Sequence, residues 1–241
     1  MKVLSFLFII LLSGIASGLA LGISNLFLVE PYIEKAIEIE IETQNSVKDG
    51  ESINPDDHDI YRQWQKDGLF VASIVFGISF SILFGILYNF LHPSFPKITT
   101  MKKTILLALI MWSTLFLVTS LKYPANPPAV GDPDTITYRQ SLYTGFLLLS
   151  GFTALSLGII YKKTNFIPKQ TIPLVYIGIM TISFLIFPNN PDIIDISPSL
   201  LSDFRISSTI TMLIFWLVLG LTFGILWNKF KPNETIKIMS N

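Results

Sequence analysis

The chain has 241 residues, of which 51% are hydrophobic and 14% charged, with 17 basic and 17 acidic side chains and a mean hydropathy of +0.57. Soluble domains average about 25% charge, so a water-soluble globule is excluded, and a balanced charge removes the basic footprint of a nucleic-acid binder. The absence of cysteine excludes disulfides and thiolate metal sites.

Six stretches contain no charged residue: 3–29, 69–91, 105–121, 142–161, 171–187 and 206–228. All the Lys, Arg, Asp and Glu lie outside them. A bilayer core about 30 Å thick needs about 20 apolar residues in helix, and a charge at its centre costs about 2.5–3.5 kcal/mol even on insertion scales. Barrel strands are about 10 residues long and alternate in polarity; these runs are longer and apolar all round. The expectation is an all-α polytopic membrane bundle, a single integral domain over 1–241 with six transmembrane helices, or five if the first is removed.

The first stretch carries Gly14, Gly18 and Gly22, a spacing that lets helices approach closely in lipid. Its Met1-Lys2 start and small residues also resemble a signal peptide, but its 27 residues exceed the apolar core of such a peptide, about 7–15 residues. A retained span is expected. Segment 30–67 is acidic, with 11 carboxylates against 4 basic residues. Its Glu30-Pro31 start, with Glu34 and Glu38 on one face, predicts a helix continuing past the membrane. Lys48 to Asp59, with Gly50 and Pro55, predicts a loop, and Arg62 to Asp67 helix leading into the second span.

The later connections alternate in charge. Segment 92–104 is +3, 122–141 neutral, 162–170 +3, 188–205 −2, and the tail from Lys229 +2. Lys and Arg concentrate on the cytoplasmic side. Both termini and the basic loops are therefore expected in the cytoplasm of a cell-membrane protein, with segments 30–67, 122–141 and 188–205 outside. Trp227 and Tyr161 on one side, and Tyr32 and Tyr123 on the other, are expected as interfacial anchors.

Segment 122–141 holds Pro124, Pro127, Pro128 and Pro133. They remove amide donors and fix φ near −65°, predicting a stiff loop, with Asp134-Thr135 capping the next helix. Segment 188–205 repeats the device with Pro188, Pro191 and Pro198 and a cap at Ser197 or Ser199. Each outer segment also ends with an acid and an arginine: Asp59 and Arg62, Asp134 and Arg139, Asp203 and Arg205. The three arginines either snorkel to the interface or tie the loops to those acids.

The spans contain no carboxylate and no histidine. His58 and His92 fall on opposite sides of the membrane, and the span methionines read as packing. No metalloprotease, phosphate-loop or nucleophile-elbow motif is present, so no enzyme is expected. The outer acids remain: Asp132, Asp134 and Glu30, with Asn126, would suit a hard or borderline divalent ion. The plainer explanation is that Asp132 and Asp134 are turn and cap residues and that Asp203 pairs with an arginine.

The run from Leu121 to Ile136, followed by Arg139 and Leu142-Tyr143, is similar to the hallmark of the CbtA family, the probable cobalt transporter subunit. Val29-Glu30-Pro31, Arg62 with Gln65 and Gly68-Leu69, and Ser199-Leu200-Leu201 with Phe204-Arg205 and Ser207 resemble it in the same order. The resemblance implies an integral membrane subunit for cobalt uptake, linked to cobalamin synthesis. It implies a partner of the CbtB type, a small membrane protein whose His-rich segment would bring metal ligands that are scarce here. Cobalt would be the cargo, with no cofactor held permanently. Family members are described with five spans.

Two functions are carried forward. In the first, a divalent metal permease subunit, Asp132, Asp134, Asn126 and Glu30 meet the ion, while Arg62, Arg139, Asp203, Arg205, Pro124, Pro127 and Pro128 organise the outer loops. In the second, the chain transports nothing and is an assembly scaffold that docks through its proline-rich loop.

Overall fold

The computed structural model describes residues 2–47, 55–95, 97–128, 130–163, 168–191, 194 and 196–232, with side chains of 43–47, 55–61 and 169 left aside. Most of the expected loop, over 48–54, the acids Asp192 and Asp195 and most of the basic tail lie outside them. Among the described residues the secondary structure is helical throughout: α1 (Val3–Leu28), α2 (Glu30–Val47), α3 (Pro55–Leu91), α4 (Thr100–Trp112), α5 (Val118–Lys122), α6 (Ile136–Lys163), α7 (Ile172–Ile186) and α8 (Pro198–Phe230).

Five helical stretches are long and apolar enough to cross a membrane: Val3–Leu28, Arg62–Ser94, Thr100–Lys122, Pro133–Lys163 and Pro198–Phe230. Large apolar side chains such as Leu4 (83% exposed) and Leu185 (78%) face outward, where lipid would cover them. The two shortest uncharged stretches fare differently. The one at 105–121 gains length because its helix starts at Thr100 and continues through a π-helical turn, Ser113–Leu117, into α5. The one at 171–187 yields α7, apolar but only 15 residues, or about 22 Å at 1.5 Å per residue. Pro173 in its first turn and Pro188 just beyond its end confine it.

The acidic helix is present as α2, separated from α1 by a turn at Val29. The loop expected through Asp59 ends earlier: α3 begins at Pro55, and His58 and Asp59 are helical. Pro55 takes the first helical position, where its missing amide costs nothing.

The chain divides into two compact units. The first comprises Met1–Ser24, Asp59–Ile110 and Leu213–Asn241. Its glycines mark close helix contacts. A Cβ on Gly14 would lie 2.6 Å from the Ile78 Cα, and one on Gly18 2.5 Å from the Ser73 carbonyl oxygen, so α1 and α3 touch backbone to backbone. On α8, a Cβ on Gly220 would meet Ala108 of α4 at 2.8 Å. Ser81 donates to the Ile10 carbonyl at 2.8 Å. Aromatic pairs fill the rest: Phe84 with Phe223, centroids 5.0 Å apart, and Tyr88 with Trp227 at 4.8 Å. Trp227 is thus buried among aromatic rings, which corrects its expected role as an interfacial anchor.

The second unit comprises Asn25–His58 and Met111–Met212. Its core holds Tyr123, Phe146 and Met180, with Val118, Leu142, Tyr143, Tyr176 and Phe187 packed around them. Beside this core Ser150 of α6 donates to the Thr114 carbonyl within the π-helical turn. The Ser150 hydroxyl also meets the Tyr176 hydroxyl of α7 at 2.7 Å.

Candidate functional site

The second unit carries the proline-rich loop, which is anchored at four points. Tyr123 donates its hydroxyl to the Pro188 carbonyl at 2.6 Å. Lys122 reaches the Asn189 side-chain oxygen at 2.7 Å. Arg205, near the start of α8, donates to the Ala125 carbonyl at 3.1 Å and to Asn126 Oδ1 at 2.8 Å. Arg139 of α6 donates to the Asp132 carbonyl at 3.2 Å. Tyr123 is therefore a buried structural residue, not an interfacial anchor. Burial, with Tyr138 as a smaller cause, pushes its phenol above the ordinary value.

The loop's second half is a capping structure. Asp132 precedes a short 3-10 turn, Pro133–Thr135, and its carboxylate accepts from the Asp134 amide at 2.9 Å. Thr135 returns its hydroxyl to the Asp132 carbonyl at 2.8 Å. The cap therefore lies at Asp132, not at Asp134-Thr135 as the sequence suggests. Pro133 can only take the first position of the turn, so the residue before it must cap. Gly131, at φ 103°, makes the bend that admits this cap. In the fifth segment Ser197 accepts from the Leu200 amide at 3.3 Å and caps α8, one of the two expected positions.

Pro124, Pro127 and Pro128 line one side of a cavity of about 500 Å³. Arg139, Gln140 and Tyr143 of α6 line another. Tyr123, Asn126, Val130 and Asn190 contribute to the wall. The residues expected to meet a metal are only partly gathered. Asp132 and Asp134 are exposed neighbours, joined through the cap. Asn126 lies in the same loop, but its oxygen is held by Arg205. Glu30 begins α2. Among the described residues no three of His, Asp and Glu come together as a metal-holding group, so Glu30 does not join Asp132 and Asp134 in one.

The arginines separate by role. Arg139 and Arg205 organise the loop: they grasp the backbone carbonyls of Asp132 and Ala125, and Arg205 also holds the Asn126 amide. Arg62 bonds Gln65 one turn along α3. Asp203 is exposed on α8. Sequence reasoning missed Gln140, Tyr143 and Asn190 as cavity walls. Gln140 and Tyr143 lie one turn beyond residues 136 and 139, which that reasoning did single out. The partner of Lys122 at Asn189 had no signal at all.

A family model described as probable cobalt transporter subunit (CbtA) matches residues 3–228, and the chain belongs to that family. No curated protein and no solved structure matches.

Proposed function

We propose that this CbtA-family chain is the membrane subunit through which cobalt(II), or a closely related divalent ion, is taken up across the cell membrane. Both termini are cytoplasmic and the proline-rich loop faces outside. The uptake feeds cobalamin synthesis and works with a small His-rich membrane subunit of the CbtB type. Family membership over nearly the whole chain carries the reading. The alternation of basic and acidic connections supports the orientation.

Asp132 and Asp134, whose carboxylates are exposed on the proline-rich loop, are the metal-contacting residues in this reading. They raise the local concentration of a divalent cation by Coulomb attraction. Neutral span interiors then leave tight coordination to the partner's imidazoles. Labelled cobalt uptake by cells making the chain with and without the His-rich subunit tests this. Uptake requiring both chains, and reduced by Asp132→Asn with Asp134→Asn at normal expression, is expected. Unchanged uptake in the double variant removes these carboxylates from the path. A complete lack of uptake with both chains present favours the assembly-scaffold reading.

A further inference from the structure

The cavity's chemistry is opposite to that of a bare cation site. Among the described residues lining it there is no carboxylate, and Arg139 carries the formal charge. A guanidinium stays protonated at any working pH and only donates. Several oxygens of the loop that a metal ion would use are already engaged. The Ala125 carbonyl and Asn126 Oδ1 both receive Arg205. The Asp132 carbonyl receives Arg139 and Thr135, and the Pro188 carbonyl receives Tyr123.

Arg205 also settles which way the Asn126 amide faces. Because Arg205 offers donors alone, the oxygen of Asn126 must be turned toward it. What Asn126 has left to offer is its NH₂ group. The wall thus combines donors, Arg139 and Asn126, and the neutral polar side chains of Gln140, Thr144 and Asn190 with the rings of Tyr123 and Tyr143 and the faces of Pro124 and Pro127. A volume of about 500 Å³ lies within the range for small organic ligands. Donors aligned with a guanidinium are the recognised complement of a carboxylate.

We propose that the cavity binds a small carboxylate-bearing organic molecule, and that the metal arrives there as its carboxylate complex. The ligand's surplus carboxylate oxygens meet Arg139 and Asn126, and its carbon skeleton lies on the proline and tyrosine walls. This rests on the transport reading and specifies the form of the cargo.

Binding to the purified full-length protein in nanodiscs, with cobalt(II) citrate, citrate alone and cobalt(II) chloride as probes, tests it. Citrate and its cobalt complex are expected to bind more tightly than the free ion. Arg139→Gln should weaken the complex by about tenfold or more, the loss of one charge-assisted partner. Asn126→Asp is the second variant. It keeps an oxygen for Arg205, so the loop stays anchored, while it replaces the donor with negative charge. It should weaken citrate binding; at a bare-cation site it would strengthen cobalt binding. Free cobalt binding as tightly as the complex, or stronger cobalt binding in Asn126→Asp, overturns the proposal, as does the absence of citrate binding. Cellular uptake separates the two levels. Uptake from chelator-free medium alone overturns the cavity's role and leaves transport standing, whereas citrate binding without uptake in any form supports the cavity and counts against transport.

Discussion

Arg205 and Asn126 stand 79 positions apart in sequence, yet the guanidinium Nη2 donates to the amide Oδ1 at 2.8 Å. A second donor of the same side chain holds the Ala125 carbonyl at 3.1 Å. One arginine thereby fixes the first half of the proline-rich loop to α8. Arg205→Ala is expected to lower stability by about 1–3 kcal/mol, the range for hydrogen bonds to a charged donor, and to open the loop to protease. Thermal unfolding in detergent and limited proteolysis measure both. Arg205→Lys, with one compact ammonium, should recover only part of the loss. An alanine variant with unaltered melting and protease resistance refutes the anchoring role.

The first span is a packing element of the first unit. At Gly18 any side chain would begin 2.5 Å from the Ser73 carbonyl oxygen. Gly18→Leu should therefore sharply reduce the yield of folded protein. Gly178 of α7 has no heavy atom within 4 Å of a built Cβ, so Gly178→Ala should be neutral or slightly stabilising, since alanine favours helix by about 1 kcal/mol over glycine. Size-exclusion profiles of the two variants decide the matter. If the first span were cleaved, Gly18→Leu would be silent.

Ser150 completes a hydrogen-bond chain that runs in one direction. The Thr114 carbonyl can only accept, so the Ser150 proton goes there and Tyr176 donates to Ser150. Ser150→Ala removes both bonds of the chain, whereas Tyr176→Phe leaves the bond to the Thr114 carbonyl intact. Each should cost about 0.5–2 kcal/mol, the range for polar contacts between membrane helices, with the alanine variant the worse. Thermal melts of both proteins test the order, and a larger loss in Tyr176→Phe contradicts the assigned direction.

The absence of native cysteine makes the orientation directly measurable. Thr137→Cys, at an exposed position early in α6, should react with an impermeant maleimide on intact cells. Lys97→Cys, exposed in the basic segment before α4, should react only after permeabilisation. The reverse pattern inverts the topology.

The sequence announces what depends on local rules. Charge exclusion locates the apolar helices, proline positions mark the loops, and the Ser197 cap follows from Pro198 beside it. The missed features depend on distant partners. Trp227 has the composition of an interfacial anchor, but Tyr88 and Phe223 bury it. The π-turn at Ser113–Leu117 carries no residue that demands it, and the Thr114 carbonyl within it receives Ser150, 36 positions away. The carboxylates of the third loop were legible as acids, and a capping role was legible too, though it falls to Asp132. The donor character of the cavity was not, because it depends on Arg205 taking the oxygen of Asn126.

The proline-rich loop has a thermodynamic consequence. Pro124, Pro127 and Pro128 restrict its backbone even in the unfolded chain, and bonds from Lys122, Tyr123, Arg139 and Arg205 hold it in place. Its ordering entropy is spent during folding, not at each encounter with cargo. A molecule entering the cavity therefore meets a preorganised wall and forfeits little affinity to loop immobilisation.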